Sequence, residues 1–410
     1  MDPAQRAVLY GASSSALPKG GQSEFCQREE IRVYQGERGT TGDGSEADMR
    51  AFQEGVADIL LKECDSGTLH AFIDGKSALG QTLWGQAAEL GWLGASLPES
   101  LGGLGLGAAW LRALNYELGR HAAPGSFVAT LGFTQWLCEI GIAGDFRGDI
   151  EQIVTGSTTA SVPAAFGAGD MIVREGGLYG SMLMLGEAEA GLLAVPAISG
   201  DRAVWAILRP GEGVRLDPQE SWDRTRRLCR LSCDGADAAH ILDDPVGTIG
   251  ARLRRLLAFA LAADSLGGAQ RIMAITVDYL KTREQFGRAV GSFQAIKHRV
   301  ASLMGAIATQ DHLLDEALDS LSTNAHSAAM WVALAKAGAT ECFDLATSEA
   351  ILLHGGVGHT WEYAPHIYAK RARLNEALVG DRREQRDLAA RLLAAETRSG
   401  RPTTEIDVDY

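Results

Sequence analysis

No run in this 410-residue chain approaches the ~20 apolar residues that a helix needs to cross a bilayer. The longest, Leu256–Ala263 (LLAFALAA), suits a buried helix instead, so no membrane partner is expected. The first residues, MDPAQRAVLYGASSS, lack the basic start and apolar stretch of a secretory leader, and a cytoplasmic location is the expectation. Positive charge is scarce: 38 Lys and Arg stand against 52 Asp and Glu. The resulting net charge of −14 argues against nucleic acid as a main partner, because a phosphate backbone needs a basic face. Cysteine is sparse and scattered, at Cys26, Cys64, Cys138, Cys229, Cys233 and Cys342, and no two form a CxxC pair. Cys229 and Cys233 lie close (CRLSC), but no second Cys/His pair follows at a metal-binding spacing. Reduced, mostly buried thiols are therefore expected, and no metal.

What is present is a large apolar complement, 46% of residues, enough for two or three domains' worth of core. Residues 1–45 are rich in Ser, Gly, Gln and charge with weak periodicity, and read as a poorly ordered extension. From 46 to 154 helical spacing dominates, in EADMRAFQEGVADILLKEC, QTLWGQAAELGWLG and AAWLRALNYELGRHAAP, with PESLGGLGLG as a turn-rich connector. Residues 155–245 change character to short β runs punctuated by Gly, Pro and Asp, which suits an antiparallel sheet or small barrel. Helical spacing returns over 246–397, and 398–410 reads as a frayed tail. The expected fold class is α+β, with an N-terminal helical domain, a central β-barrel-like domain and a C-terminal helical bundle.

The chemistry concentrates in YLKTREQFGRAVGSFQAIKH (279–298), a basic, aromatic loop between two helical patterns in an acidic chain. Three further segments belong with it: LWGQAAELGWLGASLPESLGGLGLG (83–107), WDRTRRLCRLSCDG (222–235) and LHGGVGHTWEYAPHIYAKRARL (353–374). Together, over about residues 48–396, the chain resembles the acyl-CoA dehydrogenase family, in particular a bacterial branch that includes steroid side-chain dehydrogenases, some built from two different subunits. The resemblance implies desaturation of a CoA thioester, in which a base removes the α-proton and FAD accepts the β-hydride. It implies an acyl-CoA substrate, an electron-acceptor flavoprotein or equivalent, and a homo- or hetero-tetramer built as a dimer of dimers. By the same resemblance Arg283, Gln285, Phe286, Phe293, Gln294, Leu352, Gly355 and Gly356 lie at a dimer interface and clasp the FAD held mainly by the neighbouring subunit. Physically, Arg283 offers a planar, permanently charged fork to phosphate oxygens. Gly287 permits a tight turn beside it, and Ser292 is placed to cap the next helix.

Two departures from the family pattern matter. The self-built half of the flavin site is eroded: SVPAAFGAGD (161–170) lacks the acidic-proline pair and the serine of that loop. MLMLGEAEAG (182–191) supplies no matching Trp or Thr, and Leu352 replaces a common Gln. The base is also missing from its usual places. The position after the late double glycine where many members carry a catalytic Glu is Val379, and the alternative position on the preceding helix is Leu257. Asp264 lies two turns beyond Leu257 with only ~20° of drift, on the same helix face. Its apolar sequence neighbours would raise its pKa and suit it to act as the base. The other reading of Asp264 is a charge on a solvent or interface side, or one satisfied by a neighbouring Arg. Glu362 reads mainly as a structural partner of Lys370 or Arg371, Trp361 as core, and the basic run Arg252, Arg254 and Arg255 as either a CoA-phosphate contact or a solvated helix start.

Two versions of an FAD-dependent acyl-CoA dehydrogenase subunit follow. In one this chain is catalytic through Asp264. In the other it is the partner that donates the Arg283 loop and the Gly355–Gly356 turn to flavin on a different, complete subunit. A rival class is a redox-inactive acyl-CoA-binding or scaffold protein on the same fold.

Overall fold

The computed structural model describes residues 43–166, 171–360 and 363–399. The expected extension over 1–45, apart from its last three residues, lies outside the described residues, as do Trp361, Glu362, the end of the 161–170 loop and the tail beyond Ser399. The described residues up to Ile59, which are all of α1 (Asp43–Glu63) but its last four residues, belong to one unit; a second unit runs from Leu60 onward and carries everything below.

Among the described residues six α-helices precede the sheet. After α1 come α2 (Ser66–Ile73), α3 (Leu79–Glu89), α4 (Gly107–Arg120), α5 (Phe127–Glu139) and α6 (Arg147–Val154). The strands are β1 (Ala160–Pro163), β2 (Ile172–Arg174), β3 (Gly177–Leu185), β4 (Leu192–Ser199), β5 (Arg202–Leu208), β6 (Val214–Gln219), β7 (Leu228–Ala236) and β8 (His240–Asp243). They pair in the order β6-β7-β3-β1-β4-β5-β8, with β2 joined to both β3 and β4. Most pairs are antiparallel, but β1 and β2 each run parallel to β4. Because β1 and β2 bridge β3 to β4 at opposite ends, the sheet curls around a core that includes Met184, Leu193, Val195, Cys229 and Leu231. This is the barrel-like character that the short, punctuated runs led us to expect.

The bundle begins with α7 (Thr248–Thr282), whose N-terminal amides are capped by Asp244: its carboxylate accepts from Ile249 N at 3.0 Å and Gly250 N at 2.9 Å. The apolar run Leu256–Ala263 is buried all round, as a helix without a polar face must be. Glycines let α7 touch α4 backbone to backbone. A Cβ on Gly267 would lie 2.0 Å from Tyr116 O, and one on Gly119 only 1.9 Å from Asp264 O. A two-strand hairpin follows, β9 (Glu284–Gln285) and β10 (Arg288–Ala289), then α8 (Gln294–Ser322), α9 (Ala328–His354), α10 (Pro365–Ala377) and α11 (Arg382–Ser399). Ser292 does not cap α8. Phe293 occupies the cap position with no side-chain bond, and the Ser292 hydroxyl donates instead to Ala289 O at 2.6 Å.

Candidate functional site

Asp264 sits on the inner face of α7 with no solvent exposure. Arg371 of α10 donates to its two carboxylate oxygens through Nε at 3.0 Å and Nη2 at 2.5 Å. Arg226, just before β7, pairs with it at 2.9 Å, and Asn375 Nδ2 donates at 2.7 Å. Arg371 Nη1 also donates to Thr225 Oγ1 at 2.7 Å and to Ala123 O at 3.1 Å, so the cluster ties the sheet to helices on both sides. Burial alone would raise the Asp264 carboxyl, but the Arg226 and Arg371 guanidiniums and the hydrogen bonds from Arg371 and Asn375 outweigh it and hold the pKa at about 2. The expectation of apolar surroundings and a raised pKa is thus corrected. The apolar neighbours are adjacent along the chain, whereas the groups facing the carboxylate arrive from residues 226, 371 and 375. A carboxylate held this low by two cations is a poor proton acceptor near neutrality. The geometry matches the other reading of Asp264, a charge satisfied by neighbouring arginines.

The two positions where the resemblance leads one to expect a base are apolar and buried. Leu257 and Val379 are both fully buried. Leu257 is packed on α5 so closely that a Cβ on Gly132 would meet its Cδ2 at 2.6 Å. Val379 has φ 63°, a left-handed conformation that a β-branched residue rarely adopts. Its turn is held from several sides. Val379 N donates to Ala164 O at 2.8 Å, and Gln385 Nε2 donates to Val379 O at 2.7 Å. Lys336 Nζ, fully buried on α9, donates to Glu376 O at 3.0 Å and Gly380 O at 2.7 Å. Burial lowers the Lys336 pKa from 10.5 to about 7 against the opposing pull of Glu376 and Asp381. The sequence reading passed over this residue, although a lone lysine inside the apolar run VALAKAGAT was a usable signal.

The residues expected to clasp flavin from outside fall into two groups, the α7–α8 connection and the end of α9. Phe286 and Gly287 form the two-residue turn of the β9–β10 hairpin with φ 54° and 76°, both left-handed as this hairpin turn demands. A phenylalanine in that conformation is strained, and its ring is 92% exposed. Phe293 stands edge-on to it, with ring centroids 6.2 Å apart, and Arg288 lies over Phe293 at 4.0 Å. Arg283 ends α7, exposed, and makes no ion pair among the described residues. Gln285 and Gln294 are exposed on the same connection; Gln294 Nε2 lies 3.3 Å from His298 Nε2. At the end of α9, Leu352 is 62% exposed and Gly355 and Gly356 are exposed beside it. An exposed cation, an exposed aromatic tip and bare glycine backbone fit the donated half of a flavin site.

Of the segments expected to build the other half, residues 167–170 of the 161–170 loop lie outside the described residues. The Ala164 carbonyl at the exit of β1 is taken by Val379 N, which closes the sheet onto the bundle. A cavity of about 960 Å³ opens beside α2 and α3, lined by Phe72, Lys76, Trp84, Ser126, Thr158 and Glu187. A separate cavity of about 460 Å³ does open where β4, β5, α7, α9 and α11 meet. Its walls are apolar, among them Phe166, Trp205, Ala258, Val332 and Leu388, and half-buried Arg254 and Arg255 line it as well. Of the basic run, Arg252 does not line it and instead donates to Glu139 O.

Residues 46–144 match the acyl-CoA dehydrogenase N-terminal domain and residues 256–394 the acyl-CoA dehydrogenase C-terminal domain. The chain is 30% identical over 341 residues to acyl-CoA dehydrogenase IpdE2 of Mycolicibacterium smegmatis, covering 81% of this chain and 94% of that protein. Against IpdE2 of Mycobacterium tuberculosis it is 29% identical over 339 residues, covering 82% and 94%. Among solved structures it superposes on a Tcur3481-Tcur3483 steroid ACAD variant with TM-score 0.78 at 26% identity, over 86% of this chain and 99% of that one. The ChsE4-ChsE5 complex of M. tuberculosis gives the same TM-score at 24% identity, over 86% and 98%, a likeness of fold.

Proposed function

This chain belongs to the acyl-CoA dehydrogenase family, oxidoreductases acting on CH–CH bonds, and on that premise we propose that it is the flavin-donating, non-catalytic partner in a heteromeric enzyme that desaturates a CoA thioester. The observation that carries this reading is the state of the two usual base positions and of Asp264: Leu257 and Val379 are buried and apolar, and Asp264 is locked between two arginines. FAD, when bound, supplies the hydride acceptor; in this reading its ring sits on the other subunit, which also holds the α-proton base. This chain's part is to bind and orient. Arg283 would meet the pyrophosphate with a charged, forked donor, and Phe286, Gln285, Phe293 and Gln294 would help hold the cofactor. The bare backbone of Gly355 and Gly356, with Leu352 beside it, admits close approach. The assembly is a dimer of dimers that passes electrons to an acceptor flavoprotein. The likeness to a steroid ACAD supports a polycyclic CoA ester as the substrate.

A second reading, a redox-inactive acyl-CoA binder, draws on the 460 Å³ cavity, which joins an apolar body to Arg254 and Arg255 as partners for phosphate. A visible spectrum separates the readings. The donor version expects colourless protein from the chain alone and yellow protein after co-expression with the complementary dehydrogenase subunit. Yellow protein from the chain alone overturns it, and colourless protein under both conditions favours the binder.

A further inference from the structure

We infer that Tyr279 and His354 are positioning residues that hold the chain's two flavin-facing segments in register; the inference rests on the donor reading above. The segments lie far apart in sequence, one after α7 and one after α9. Tyr279 stands one helical turn before Arg283, whose backbone N donates to Tyr279 O at 2.9 Å. His354 is the last residue of α9, directly ahead of Gly355. Their rings stack with centroids 4.4 Å apart at 18°. Tyr279 Oη donates to the His354 carbonyl at 3.3 Å, satisfying an acceptor that the helix end would otherwise leave open. His354 is buried, and its Nδ1 lies 2.7 Å from Ala350 O, which fixes the ring along its own helix. Tyr363 closes the stack edge-on to both rings, 6.4 Å from Tyr279 and 6.1 Å from His354.

The consequence is mechanical. Arg283 is exposed at the end of α7 and Gly355 turns at φ 65°, so neither carries packing that sets its place relative to the other. The stack of half-buried Tyr279 on buried His354 joins the two segments. A donor set that must meet one cofactor loses affinity when its two parts shift relative to each other, even if each part survives.

The test is the FAD dissociation constant of the assembled complex, measured by flavin fluorescence after depletion and re-addition of FAD. Four variants are compared: His354→Ala, His354→Phe, Tyr279→Leu and Arg283→Ala. Loss of the stack in His354→Ala is expected to weaken FAD by roughly three- to tenfold. His354→Phe keeps a stacked ring and is expected to stay within about twofold of the parent, a rescue that bulk destabilisation would not predict. Tyr279→Leu removes the opposite ring and checks the same effect if His354→Ala folds poorly. His354→Ala and Tyr279→Leu both at parental affinity, with Arg283→Ala weakened, overturn the registering role and leave the donor reading standing. His354→Phe as weak as His354→Ala also overturns it. Parental affinity in Arg283→Ala removes the donor reading and this inference with it.

Discussion

Asp264 and Arg371 meet as a two-pronged ion pair, 3.0 and 2.5 Å long, in which neither side chain is more than 1% exposed. Removing one charge from such a pair strands the others. Asp264→Asn leaves Arg371 and Arg226 buried with only Asp223 nearby to balance them, and is expected to cost about 3–5 kcal/mol. Denaturant unfolding measures this. If the assembled variant survives, its flavin should still be reduced by acyl-CoA at a rate within a few-fold of the parent. A stopped-flow loss of a hundredfold or more would return the base role to Asp264.

The same carboxylate sets an acid limit. Its pKa falls from 3.8 in the unfolded chain to about 2 when folded, so its stabilisation is complete above about 3.8. It is lost as pH drops through about 2. Stability measured against pH should fall across that window in the parent and lack this component in Asp264→Asn.

Lys336 acts with the opposite charge and at higher pH. Its folded pKa of about 7 lies below the ordinary 10.5, so between these values the unfolded chain binds the extra proton. Stability should therefore rise with pH across that window and flatten beyond it. Lys336→Met removes this slope, but it leaves the Glu376 and Gly380 carbonyls without their donor and should lower stability by about 1–3 kcal/mol at pH 10. An unchanged slope in the variant would assign the titration to another group.

Arg283→Ala removes an exposed guanidinium that meets no acid among the described residues. Folding should be unaffected. FAD affinity in the assembly should drop roughly ten- to a hundredfold, since a charged hydrogen bond to phosphate contributes about 1.5–3 kcal/mol. Equilibrium dialysis against FAD gives the answer directly.

Gly267→Ala places a methyl group 2.0 Å from Tyr116 O, where α7 and α4 touch through their backbones. The helices must separate, at a cost of about 1–3 kcal/mol or more, and Asp264 shifts with them. A melting temperature equal to the parent's would show that the crossing relaxes freely.

Much of this was written locally. The period change near residue 155 marked where helices give way to strands, because side-chain alternation follows from backbone geometry alone. The apolar run Leu256–Ala263 announced a helix buried on every side. Phe286-Gly287 was legible as part of a tight turn because Gly287 tolerates positive φ, although the left-handed Phe286 was not. The exposed loop around Arg283 and the apolar side chains at Leu257 and Val379 were likewise readable one residue at a time. What a string could not express was which groups face each other. Asp264 sits among alanines and leucines in sequence, yet its pKa is governed by Arg226 and Arg371, each brought in by a different element. Lys336 and the turn at Val379 meet in the same way, as do Tyr279 and His354. Electrostatic energy depends on distance through space, and hydrogen bonds on direction, so only the packed structure decided which charges surround the Asp264 carboxylate.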